Sequence, residues 1–209
     1  MFVWRNILNK LEREFYRKSS IQLAQDLIGK LLVHKINGKR ISGRIVEVEA
    51  YMGIKDKAAH SYAGKRTKRT EIMYGIPGIL YVFLIYGMYS CVNVVAGEID
   101  EPEAVLIRAL EPIDGLDHIS FNRYKKSYEE LTKKEKLNLT NGPGKLCIAM
   151  GIDKSSNGVD LCENDFFIEE DEFKSEIISS KRIGIDYAEE AVDFLWRFYI
   201  KDNSFVSKK

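Results

Sequence analysis

Residues 80–95 read LYVFLIYGMYSCVNVV, and no charged side chain occurs between Glu71 and Glu98. A run this apolar must either cross a membrane or be buried in protein. It is long enough to cross, since about 20 apolar residues span a bilayer. Its composition argues against that. Pro77, Gly78, Gly87 and Asn93 interrupt it, and it is rich in β-branched and aromatic residues. Two runs, 79–86 and 89–96, meet at Gly87-Met88, which predicts a buried hairpin with Gly at the first position of a type II′ turn. No membrane partner is expected.

The remainder of the chain fits that reading. A length of 209 residues suits one domain, 1–209, with ample core. The start, MFVWRNILNKLEREF, carries charges every few residues and predicts neither a signal peptide nor an anchor. Cys91, Cys147 and Cys162 are odd in number and lack a CxxC pair, which points to reduced thiols, a cytoplasmic or nucleoid location, and no zinc knuckle. The net charge of +1 creates no global field toward nucleic acid. Lys65, Arg66, Lys68 and Arg69 nevertheless stand together between two apolar segments, a candidate phosphate footprint. A second basic zone, from Lys125 to Lys136, is interleaved with Glu129, Glu130 and Glu135 and reads as a solvated helix face.

Local patterns predict the elements. An amphipathic stretch runs over 3–15. Ser19-Ser20 would cap a helix that Gly29 ends. LLVHKINGKRISGRIVEVEAY predicts strands 31–36 and 39–51 around an Asn37-Gly38 turn. A short helical piece is expected over 55–60, another capped by Thr67 or Thr70, a strand in EAVLIRALE, and a charged helix over 113–136. Gly142-Pro143-Gly144-Lys145 opens an apolar helix. It lacks a full Walker pattern, so Lys145 is a weak phosphate candidate. With no repeat or linker, the class is α+β, a mixed α/β domain around a curved antiparallel sheet.

The strand GRIVEVEAY carries the first chemical signal. Its period of two puts Ile45, Glu47, Glu49 and Tyr51 on one face. Two carboxylates on an apolar strand need partners. Either one glutamate pairs with an arginine and neither reacts, or the pair supplies a general base, a metal ligand or a glycosidase-like couple. Arg108, inside VLIRALE, requires an anion: a glutamate of that strand or a substrate phosphate. Asp56 and His60 would share a helical face and, with the glutamates, are open to a metal reading, although the spacing matches no strong motif. Asn93 is either a hydrogen-bonding reader or a satisfied core amide.

Taken in order, GRIVEVEAY, DKAAHS, PGILYVFLIYGMYSCVNV, VLIRALEP, NGPGKLC and the closing RFYIKDNSFVS resemble the alkyladenine (3-methyladenine) DNA glycosylases, over about residues 23–206. The resemblance implies a single mixed α/β domain whose protruding hairpin enters the DNA minor groove. It implies that Glu49 is the catalytic glutamate and that Arg108 helps hold the attacking water. Tyr51 and His60 would line the base pocket, with Phe83 as a ring where animal members carry tyrosine. Asn93 would disfavour the amino group of guanine, and Tyr86 would fill the gap left by a flipped nucleotide. The implied partner is double-stranded DNA with alkylated bases, bound by a monomer without cofactor or metal.

The residues agree with that chemistry. A base must leave the stack before its sugar carbon can be reached. Purines alkylated at N3 or N7 are cations, which an aromatic cage attracts by about 1–2 kcal/mol per contact. Such a base leaves readily, so one carboxylate that orients water and stabilises an oxocarbenium ion suffices. No lysine in GRIVEVEAY is placed for a Schiff base. Two rivals remain open: a metal-dependent nuclease using Glu47, Glu49, Asp56 and His60, and a non-catalytic nucleic-acid-binding module.

Overall fold

The computed structural model describes residues 10–208. Of the amphipathic stretch expected over 3–15, residues 3–9 lie outside the described residues. Its remainder holds only the short helix α1, Arg13–Tyr16. The helix α2, Ser20–Leu27, starts where Ser19 accepts a hydrogen bond from the Gln22 N–H, and Gly29 follows its end at φ +88°. The strands β1, Leu31–Ile36, and β2, Lys39–Tyr51, flank Asn37-Gly38, both at positive φ as a tight hairpin turn requires.

The apolar segment forms β3, Leu80–Ile85, and β4, Tyr89–Ala96. Its turn differs from the type II′ expectation. Tyr86 and Gly87 both have positive φ (52° and 68°), and the Met88 N–H donates to Ile85 O at 3.2 Å. That is the type I′ pattern, with Tyr86 rather than Gly87 first, and Met88 stands as an extra residue before Tyr89 pairs with Ile85. The strand β5, Glu103–Asp114, is followed by two short helices, α3 (Leu116–Tyr124) and α4 (Lys133–Leu137), instead of one over 113–136. Helix α5, Pro143–Met150, begins at the GPGK turn and ends at Gly151 in the left-handed region. The short strands β6 (Phe166–Glu169), β7 (Ile177–Ser180) and β8 (Arg197–Ile200) complete the fold.

All strand pairs are antiparallel, and the main path runs β3-β4-β5-β2-β1-β6. The long β2 pairs β5 along one edge. Along the other it pairs β1 with its first half and β8 with its second. This split, together with bulges between β2 and β5, curls the sheet into a half-barrel. Leu23, Ala24 and Leu27 of α2, and Leu146, Ala149 and Met150 of α5, are buried in the same core as Val48, Val92, Val94 and Ile107 of the sheet. Each of the larger side chains among these contributes about 1.5–3 kcal/mol on burial. No described helix is long and apolar enough to cross a membrane.

Candidate active site

The bulges in β2 and β5 do more than curve the sheet. Ile45 pairs Leu110 and Glu47 pairs Ala109, so Val46 is extra on β2; Val48 then pairs Ile107, so Arg108 is extra on β5. An unpaired bulge residue bends its strand and re-aims its side chain. The alternation expected for GRIVEVEAY breaks there. Ile45 joins Val48 and Ala50 in the core rather than sharing a face with the glutamates.

Glu47 and Glu49 are both fully buried, and Arg108 lies between them. Its Nε donates to Glu47 Oε1 at 3.0 Å, and its Nη1 pairs with Glu49 Oε1 at 3.3 Å. The sequence left open a glutamate partner or a substrate phosphate for Arg108; its partners here are both glutamates. The two carboxylates are not equivalent. Glu47 also accepts from Arg197 Nε (2.8 Å), the Ser207 N–H (2.6 Å) and Ser207 Oγ (2.8 Å). Glu47 thus takes four donors, three on Oε1 and one on Oε2. Burial would raise its pKa, but Arg108, the Ser207 N–H and Arg197 outweigh burial and hold it below the usual range. Glu49 accepts from the Ile183 N–H (2.7 Å), the Tyr51 hydroxyl (2.8 Å) and Arg108, so roughly one acceptor direction stays open. Burial also pushes the Tyr51 hydroxyl far up, and the adjacent Glu49 adds to that, so Tyr51 stays a donor.

A cavity of about 540 Å³ adjoins this group. Tyr51, His60, Phe83, Tyr86, Asn93 and Arg108 all line it, although they come from widely separated segments. Phe83 meets His60 edge-on at 4.6 Å and Tyr81 at 5.4 Å. Tyr81, which the sequence did not single out, supplies the hydroxyl that Phe83 lacks, and it lies 2.9 Å from His60 Nδ1. Arg69 Nη2 reaches His60 Nε2 at 3.3 Å. Arginine only donates, so Nε2 accepts and Nδ1 carries the proton toward Tyr81. Burial, then Arg69 and Lys65, push the His60 pKa down to about 4. The Asn93 amide donates to Tyr81 O at 3.1 Å and is nearly buried. Cys91, opposite Phe83 across the hairpin, lies in the cavity wall. Tyr86 is 84% exposed, with Met88 exposed beside it.

Other expectations change. After a single 3-10 turn at Gly53–Lys55, residues 57–60 form turns rather than a helix, so Asp56 and His60 do not share a helical face. Asp56 is fully buried and accepts both Nη groups of Arg182, at 2.5 and 2.9 Å, besides the Met52 and Ala58 N–H groups. Arg182 also lies over the Tyr51 ring at 4.8 Å, fixing that wall of the cavity. Among the described residues, no three His, Cys, Asp or Glu side chains converge as metal ligands. The basic cluster disperses. Arg66 pairs with Glu71 and Asp100, and Arg69 faces the cavity over Phe83 at 5.1 Å. Lys145 is held by the side-chain carbonyls of Asn138 and Asn141. Lys65 and Lys68 are exposed, with no ion pair among the described residues. Residues 183–185 and Tyr187 also wall the cavity. No periodicity marks that loop; its one sequence signal is the Gly184 that permits its φ of +76°.

Comparison with known proteins identifies the family. A family model described as methylpurine-DNA glycosylase matches residues 14–204. Relatives named "Putative 3-methyladenine DNA glycosylase" occur in Clostridium novyi, 57% identical over 97% of this chain and 100% of the relative, and in Desulfitobacterium hafniense, 56% identical over 97% and 100%. A third, from Alkaliphilus oremlandii, is 57% identical over 96% and 100%. The chain belongs to the methylpurine-DNA glycosylase family and is a DNA glycosylase.

Proposed function

We propose that the protein, acting as one domain and one copy, removes alkylated purines from double-stranded DNA. Its preferred bases are 3-methyladenine and 7-methylguanine, which it takes by flipping the damaged nucleotide into the cavity. Tyr51, Phe83 and His60 form the cage, Asn93 faces the base edge, and Tyr86 enters the duplex where the base was. Neutral His60 adds no further positive charge to a cavity that Arg69 and Arg108 already line. Glu49 orients a water toward C1′ while its charge stabilises the oxocarbenium ion, and Arg108 helps hold that water.

One observation supports the assignment within the carboxylate pair: the partners of Glu49, namely Tyr51, Ile183 and Arg108, all line the cavity, whereas Glu47 takes three of its four donors from Arg197 and Ser207, outside that lining. The hydrolysis leaves an abasic site and an intact backbone, and it needs no metal. The test is free-base release from duplexes carrying 3-methyladenine, 7-methylguanine or hypoxanthine, with EDTA present. The methylated bases should be released much faster than hypoxanthine. Activity lost to EDTA and restored by a divalent ion would overturn the metal-free reaction. Equal single-turnover rates on hypoxanthine would overturn the cation preference.

A further inference from the structure

We propose that Glu47 is a positioning residue, clamped by the C-terminal segment through Ser207 and Arg197, that aims Arg108 at Glu49 and the cavity. This rests on the roles given to Glu49 and Arg108 above. Glu47, Glu49, Arg108 and Arg197 are all buried, none more than 8% exposed. Four buried charges are a poor device for stability, because well-packed apolar residues of like volume often do as well or better. Their geometry serves orientation instead.

Arg108 occupies a bulge, where no regular strand pairing dictates the direction of its side chain. Glu47 supplies that direction by taking the Arg108 Nε, which leaves Nη1 facing Glu49. Glu47 itself is fixed from outside the β2–β5 pair. Ser207 gives it both its N–H and its hydroxyl, and Arg197 of β8 gives it Nε. Arg197 in turn donates to Ser180 Oγ at 3.0 Å and to the Lys208 carbonyl, so the same arginine ties the C-terminal segment to the sheet. The chain end thus completes the setting of an arginine about a hundred positions earlier. Held by four donors, three of them from Arg197 and Ser207 outside the cavity lining, Glu47 takes no proton from water and touches no substrate. It acts through Arg108 alone.

The test uses the full chain, a 7-methylguanine duplex, single-turnover base release and duplex affinity. Glu47→Gln keeps the shape and loses the charge. It should slow release about 10-fold or more, the scale of a misaimed catalytic group, while lesion-duplex affinity changes less than about twofold. Arg108→Lys provides the second arm. If Glu47 acts through Arg108, adding Glu47→Gln to that variant should cost less than about twofold more. Ser207→Ala keeps the N–H and loses the hydroxyl; release should slow about threefold and recover in Ser207→Thr. A folded Glu47→Gln protein with wild-type release overturns the proposal, as does a loss undiminished by Arg108→Lys. Should Glu47→Gln fail to fold, wild-type release by Ser207→Ala overturns it. A wild-type chain that releases no base is a different result, overturning the reading of Glu49 and this proposal with it.

Discussion

Glu49 and Glu47 are two residues apart, equally buried, and share Arg108, yet their remaining partners separate them. Glu49→Gln keeps an acceptor for only one of the Ile183 N–H and the Tyr51 hydroxyl, which bond opposite oxygens, and removes the charge. The chemical step should fall at least about 100-fold in single-turnover release, with lesion-duplex binding retained. A dead Glu47→Gln beside an active Glu49→Gln would reverse the assignment. His60 makes a prediction about pH. Its pKa of about 4 lies below the ordinary 6.5 because of burial, Arg69 and Lys65. Below about pH 6.5 the unfolded chain takes a proton that the native chain refuses until about pH 4. His60 therefore leaves stability untouched above that range and lowers it as pH falls through it. The urea midpoint of the wild type should drop between pH 7 and pH 5 by more than that of His60→Gln.

The β3–β4 hairpin presents Tyr86 at its tip in a left-handed conformation that costs a non-glycine residue about 1–2 kcal/mol. A ring so exposed adds nothing to the core. Tyr86→Ser should leave the melting temperature nearly unchanged, yet weaken lesion-duplex binding and slow release. Release from single-stranded alkylated DNA should suffer less, since no stacking gap needs filling. An unchanged duplex-to-single-strand rate ratio would reduce Tyr86 to a surface ring. The hairpin's existence was legible because apolar runs and Gly87 are local signals. Its turn type was not, because Tyr86 at positive φ defies local preference. The Asn37-Gly38 hairpin and the Ser19 cap were legible to the residue for the same local reasons. The bulge at Arg108 was invisible, since it is a mismatch between two strands and no property of either one.

At the scale of the molecule, the residues singled out in the sequence line one cavity or adjoin it, while the contacts that support them were missed. Arg182 with Asp56, Arg197 and Ser207 with Glu47, and Ile183 with Glu49 join residues more than a hundred positions apart, beyond any periodicity. The dispersal of the basic cluster sets an expectation for binding. With a net charge of +1 and Arg66 in ion pairs, the 65–69 cluster offers phosphates chiefly the exposed Lys65 and Lys68. Lesion-duplex affinity should fall with salt at a log–log slope of about −2 to −4, the range for two to four neutralised phosphates. A titration steeper than about −6 would reveal a basic surface not recognised above. The thiols follow a common rule as well. Burial raises Cys91 to about 11, and it also raises the buried Cys147 and the half-buried Cys162. A methylating electrophile reacts with thiolate, and at pH 7 only about one Cys91 in ten thousand is in that form. An alkylating reagent that enters the cavity thus meets, in the lining thiol of Cys91, a nucleophile held in its unreactive form.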